Sequence, residues 1–514
     1  MNIRAIGFYI GHILRIEGVL LVPALLIALF CHERESLHAF GITILILAVL
    51  SMALLSLGRR GPFWKRRRDA ENSRFGEGIH AREGFIITAL GWIALSLFGA
   101  FPFYLSGAIP SFVDCWFETV SGFTTTGATI LSEIEGLPNS LLYWRSFTHW
   151  IGGMGVLVFL LAIIPMSKGN GETFHLLRAE SPGPSVGKLT PTMRHTARLL
   201  YAIYVALTVI MIGFLLAGGM PLFDSVVHAF ATAGTGGFSI KNASIAAYGS
   251  HYLQTVIAVF MVLFGVNFNV FYLILCGRAS QALRSEELRT YLGIIFGATF
   301  LIALNIQPQF SSLGDAFHHS FFQVSSIMTT TGFSTVDFNL WPEFSRMILI
   351  ALIIIGACAG STGGGIKVAR VIILWKALKG EMQRMLRPRT VKVVCMDGKQ
   401  LDSHVIRGVF AYMTGFIAVC LLSFLCISIE NYDMETTVTS VLTCIGNVGP
   451  GLSAVGPMGN FSHFSILSKL VLSADMLIGR LEIFPFILLF SPTTWKSRTC
   501  LLYTSPSPRD GATS

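Results

Sequence analysis

Charge is scarce in this sequence. Lys, Arg, Asp and Glu make up 13% of its 514 residues, against about 25% in a soluble globular domain. The net charge of +9 falls in short clusters between apolar segments. No aromatic-basic domain accompanies them, which argues against a nucleic-acid partner. Clustered thiols are missing too. Nine cysteines, at 31, 115, 276, 358, 395, 420, 426, 444 and 500, include no Cys-x-x-Cys pair and no His/Cys grouping of zinc spacing. Neither a disulfide framework nor a metal centre is implied. His318 and His319 are adjacent rather than four apart, so they read as helix surface and not as a metal pair. A nucleophile beside a base is also absent from the predicted membrane region, which disfavours a membrane enzyme.

What the chain has in abundance is apolar length. It is 53% hydrophobic with 51 glycines, and several runs reach the ~20 residues that cross a bilayer core as helix. The reading is an all-α polytopic membrane protein. Ten spans are predicted, at 6–30, 38–57, 85–105, 144–165, 199–218, 252–276, 291–306, 346–376, 408–428 and 464–490. The first run is long and lacks a small-x-small cleavage site, so it reads as one member of an uncleaved helix pair rather than a signal peptide.

Basic residues mark every second loop: Arg59 to Arg74, Lys168 to Arg198, Arg278 to Arg289, Lys376 to Arg407, then Lys496 and Arg498. The alternate loops are acidic or sparse in charge, with Glu33, Glu133, Asp337 and Glu430 among them. The bias of Lys and Arg toward the cytoplasm puts both termini on that side.

The loops after the third, fifth, seventh and ninth spans are too apolar to be solvated linkers, and they align with one another without gaps. "FETVSGFTTTGAT", "VHAFATAGTGGFS", "FQVSSIMTTTGFS" and "TSVLTCIGNVGPG" place Gly127, Gly237, Gly332 and Gly449 in one register. Each repeat reads helix, re-entrant half-helix, extended Thr/Gly turn, helix. Irregular backbone at membrane depth is tolerated only where protein buries it or it lines a wet cavity. Four copies around a pseudo-fourfold axis supply that cavity. Carbonyl rings, with the negative ends of helix dipoles behind them, can replace the hydration shell of a monovalent cation. The candidate filter is Thr125, Thr126, Gly127; Thr235, Gly236, Gly237; Thr330, Thr331, Gly332; and Asn447, Val448, Gly449, with the ion at the four glycines. Nine residues before each glycine stand Glu118, His228, Gln323 and Ser440, read as hydrogen-bonding residues of the half-helices rather than ion ligands. Asn267 and Asn269 either line the pathway or cap nearby backbone.

The fourfold plan, together with "HWIGGMGVLVF", "GACAGSTGGGIKVAR" and "MLIGRLEIFP", resembles the Trk/Ktr/HKT superfamily of potassium transporters, on its bacterial TrkH/TrkG side. The resemblance implies potassium uptake across the bacterial cytoplasmic membrane and a homodimer with one pore per subunit. It also implies a cytosolic partner of the TrkA type that carries the regulatory nucleotide, this chain holding no cofactor of its own. Related plant carriers that favour sodium have serine at the first filter glycine, so glycine at all four positions favours potassium. Asn447-Val448 and Gly236 make the ring unequal around its axis. A symporter coupling potassium to protons or sodium is the alternative.

The eighth span would be about 45 Å long at ~1.5 Å per residue, and it contains five glycines in ten residues from Gly356. Each glycine costs about 1 kcal/mol in a helix interior. Gly356, Gly360, Ser361, Thr362, Gly363, Gly364, Gly365 and Lys367 therefore read as a loop under the filter, a gate movable from the cytoplasmic side. A phosphate-binding loop is a poorer fit: Gly360 and Gly365 have the right separation, but Ile366 stands where lysine is required and no strand precedes it. Arg480 is expensive in a span. The resemblance makes it a cationic barrier beside the pathway; pairing with Asp475 or Glu482 is the alternative.

Six segments follow: 1–75, the helix pair and basic loop; 76–185, 186–285, 286–395 and 396–499, the four repeats; and 500–514. The last, "CLLYTSPSPRD" onward, back-translates in frame to a sequencing adapter and is left out of the fold.

Overall fold

The computed structural model describes residues 3–59, 81–155, 193–387 and 393–495. The second half of the fourth predicted span, most of the first two basic clusters, Lys496, Arg498 and the segment 500–514 lie outside them.

Among the described residues, six helices are long and apolar enough to cross a membrane, or seven when a bent pair is taken as one. Ile3–Phe30 and Arg34–Leu57 form the N-terminal pair. Arg82–Leu105, Thr196–Ala217, Glu286–Gln309 and Ser403–Ser428 are the continuous spans of the repeats. The remaining predicted spans differ for local reasons. The fourth begins at Asn139, behind Pro138, and is described as far as Gly153. The sixth is not one straight helix: His251–Phe264 and Phe268–Leu275 meet at 91°. Asn267 makes the corner by accepting the Asn269 N–H, 3.0 Å away, so it is a helix cap. The eighth divides into Glu343–Ile355 and Val368–Leu386, and the glycine-rich segment between them is non-helical. The tenth breaks after Arg480, where Glu482 and Ile483 take left-handed φ of 55° and 70°; Phe484–Phe490 follows with Pro485 in its first turn.

Four shorter helices occupy the predicted re-entrant positions: Phe112–Phe123, Leu222–Ala233, Leu313–Met328 and Met434–Gly446. Their 12 to 16 residues give roughly 18–24 Å at 1.5 Å per residue, too short for the ~30 Å bilayer core. Three start on side-chain caps, Ser111, Ser312 and Asp433. All four end in buried backbone. A hairpin, Cys395–Met396 with Lys399–Gln400, is the described β-structure. Glu286 N–H donates to Asp397 and Lys376 Nζ to Cys395 O, which tie the hairpin to two helices.

Candidate functional site

The backbone after each short helix repeats the same conformation four times. Thr125, Thr235, Thr330 and Asn447 have φ of 56°, 56°, 58° and 53°, and two residues on Gly127, Gly237, Gly332 and Gly449 have φ of 81°, 76°, 88° and 94°. Two left-handed residues with one between turn the chain back from the helix end. The non-glycine member carries a strain of about 1–3 kcal/mol that the surrounding structure must hold.

The four turns touch in cyclic order. A Cβ placed on Gly127 would come within 3.0 Å of Gly236 O, one on Gly237 of Thr331 O, one on Gly332 of Val448 O, and one on Gly449 of Thr126 O. Each glycine thus abuts the carbonyl of the next repeat, and the fourth abuts the first. The candidate filter residues are buried apart from Gly127, Gly237 and Gly332, which are partly exposed, and all four glycines line a cavity of about 370 Å³. Side chains brace the ring from behind: Thr124 and Thr126 hydroxyls are 2.8 Å apart, as are those of Thr329 and Thr331, and Asn447 Nδ2 donates to Thr126 Oγ1 at 3.0 Å. The fourth repeat's asparagine therefore clasps the first repeat, joining the chain's two ends of the ring.

Of the residues nine before each glycine, two tie down the outgoing strand and two do not. Glu118 accepts from Thr129 Oγ1 and Ile130 N, both at 3.0 Å. His228 Nε2 lies 3.1 Å from Ser239 Oγ, the equivalent position in the second repeat. Ser440 turns back on its own helix, donating to Thr437 O, and the Gln323 amide has no hydrogen-bond partner among the described residues. None of the four is among the nearest neighbours of a Cβ placed on the ring glycines. Arg145, which sequence reasoning missed, completes the arrangement. Its Nε is 2.6 Å from Glu118 Oε1, its Nη1 donates to Ser239 O at 2.9 Å, and its Cζ stands 3.6 Å from the Phe238 ring centroid.

The "HWIGG" stretch explains the unequal second quarter. His149 Nδ1 donates to Gly122 O at 2.8 Å, and its ring lies 4.2 Å from that of Phe238. A Cβ at Gly236 would collide with that imidazole, and Cβ atoms at Gly152 and Gly153 would collide with Phe123 and Gly234 backbone. The paired glycines let this helix lie against two turns at once. His318 and His319 stay on the side of the third short helix, bonded to Gln254 and Thr335.

The segment Gly356–Lys367 packs directly against the ring. Gly364 N donates to Thr330 Oγ1 at 2.7 Å, and a Cβ at Gly363 would stand 2.9 Å from Thr329 O. Gly356, Gly360 and Gly365 have φ of 72°, 71° and 76°, and so does Lys367 at 82°, whose Nζ donates to Gly363 O. On its other side the segment docks into the corner of the bent helix: Cys358 N donates to Gly265 O and Phe268 N to Gly360 O, at 3.1 and 3.0 Å. Arg480 Nη1 donates to Thr362 O at 2.8 Å, and Nη2 to Gly153 O at 2.8 Å and to Gly152 O. The alternative pairing of Arg480 with Asp475 or Glu482 is not seen among the described residues. Glu482 pairs with Arg370, and Asp475 accepts from Ser423 at 2.8 Å.

Comparison with known proteins gives one consistent result. The family model described as TrkH, cation transport protein, matches residues 52–497. The Trk system potassium uptake protein TrkH of Escherichia coli K12 is 35% identical over 502 residues, covering 96% of this chain and 100% of the relative. TrkG of the same strain is 32% identical, covering 96% and 99%. The crystal structure of the potassium transporter TrkH from Vibrio parahaemolyticus superimposes with a TM-score of 0.83 at 30% identity, over 96% of this chain and 100% of that one.

Proposed function

Since the chain belongs to the TrkH family of cation transport proteins, we propose that it takes up potassium across the bacterial inner membrane through the ring at Gly127, Gly237, Gly332 and Gly449. The observation that carries this reading is the closed cyclic contact of the four glycine turns. Carbonyl oxygens held in a buried ring, at the C-terminal ends of four short helices, offer a cation the ligands and negative potential it loses with its water. The segment Gly356–Lys367 serves as the gate beneath the ring, with Arg480 as the fixed positive charge beside the route. A cytosolic nucleotide-binding subunit of the TrkA type acts on the gate from the cytoplasmic side, and the transporter works as a homodimer.

One observation favours coupling to protons as a second reading. Glu17, 1% exposed in the first helix, has no hydrogen-bond partner for either carboxylate oxygen among the described residues. An intramembrane carboxylate so placed is a natural proton carrier. Currents across proteoliposomes under imposed potassium, sodium and proton gradients separate the two readings. For the channel, the reversal potential follows the potassium gradient alone; movement with the proton gradient selects the symporter. A reversal potential indifferent to potassium rejects the filter.

A further inference from the structure

We propose that Glu287 is the latch of the gate, a positioning residue that holds Gly356–Lys367 closed by tying it to the corner of the bent helix; this rests on the gate reading above. Glu287 is 4% exposed in the first turn of Glu286–Ile306. Its Oε1 accepts the Ala359 N–H at 2.6 Å, inside the glycine-rich segment. Its carboxylate also lies within electrostatic reach of Lys367, at the end of the segment. Oε2 accepts from Asn267 Nδ2 at 3.4 Å, the residue that caps the corner of the bent helix.

One carboxylate therefore joins two pieces that a moving gate must separate: the segment and the corner it rests in. The other bonds at this dock are mostly backbone to backbone, which any sequence of the same shape provides. Its place in the first turn of its own helix offsets part of the cost of burying the charge. A charge-assisted hydrogen bond is about twice as strong as a neutral one, and a single such bond can decide between two arrangements of a glycine-rich segment. Removal of the carboxylate leaves the open arrangement untouched, because opening has already broken these contacts.

The test uses the full chain in proteoliposomes without a partner subunit, with potassium flux and amide hydrogen exchange measured on the same preparations. Glu287→Ala should raise flux about tenfold, the population shift given by losing one charged hydrogen bond from one of two states. Exchange of 356–367 should quicken while that of Ser403–Ser428 stays unchanged. Glu287→Gln, which keeps an acceptor oxygen, should fall between. Unchanged flux with unchanged exchange overturns the latch. Faster local exchange with unchanged flux supports Glu287 as the grip on the segment but defeats the gate reading. Lower flux with faster exchange at Ser403–Ser428 as well makes Glu287 a residue of the fold and overturns the proposal.

Discussion

Gly332→Ser should remove most potassium uptake and blunt discrimination against sodium, measured side by side in a potassium-uptake-deficient bacterial strain. Two costs coincide at this position. The φ of 88° is unfavourable for any residue with a Cβ, and a Cβ would crowd Val448 O and stand 2.7 Å from Pro450 Cδ. The obstacles are backbone and a proline ring, which cannot swing aside. Left-handed strain of about 1–3 kcal/mol and overpacking of about 1–3 kcal/mol together displace the ring by the equivalent of at least about thirtyfold in occupancy. Gly297→Ala is the control. It lies in the same repeat, in Glu286–Ile306, with nothing within 4 Å of the added methyl, and uptake should be unchanged. Wild-type rate and selectivity in Gly332→Ser would place this glycine outside the filter.

Glu118→Ala should cost the protein about 3–5 kcal/mol, the usual penalty for breaking a buried ion pair from one side. Arg145 would be left 2% exposed and without its carboxylate. Thr129 Oγ1 and Ile130 N–H would lose their acceptor at the same time. The consequence reaches conduction, because Arg145 lines the cavity above the ring and its uncompensated charge repels the arriving cation. Thermal unfolding in detergent and potassium flux should both fall. Adding Arg145→Met should restore much of each, since replacing both members of a buried pair by apolar groups is far milder than removing one. Full stability in Glu118→Ala alone would defeat this account. Equal loss of flux in the single and double variants would show that the charge left on Arg145 is not the cause.

Much of the architecture is legible in the residues because lipid leaves few options. Apolar runs of helical length have to be helices, and four apolar loops carrying glycine in one register have to be buried together. The register at Gly127, Gly237, Gly332 and Gly449 could be read because glycine is required twice over, by φ and by the neighbouring carbonyl. The 91° corner at Gly265–Asn267 was legible only as a possible cap at Asn267 or Asn269: the sequence carries no sign of the angle or of the segment about ninety residues later that docks into it. Arg145 and Glu118 are 27 residues apart and look like two isolated charges. Glu287 looks like any acidic residue in a helix's first turn, and Glu17 like a stray charge in an apolar run. Arg480 was found by its cost, but its partners are carbonyls, and backbone carries no mark in a sequence. His149 could have been found through "HWIGG", a stretch whose two glycines announce a close approach without naming what comes close.

Order along the chain is also order around the ring, with Asn447 reaching back to Thr126 to close it. Four identical subunits would make the same neighbours, yet every substitution in such an assembly appears four times. A covalently joined set can alter one quarter alone. Gly236 yields to His149, Asn447 replaces a threonine, and the carboxylate of Glu118 has no counterpart in the other three repeats. Fusion thus frees the protein from its own symmetry, so that each quarter can be modified by itself while the four turns keep their common backbone path.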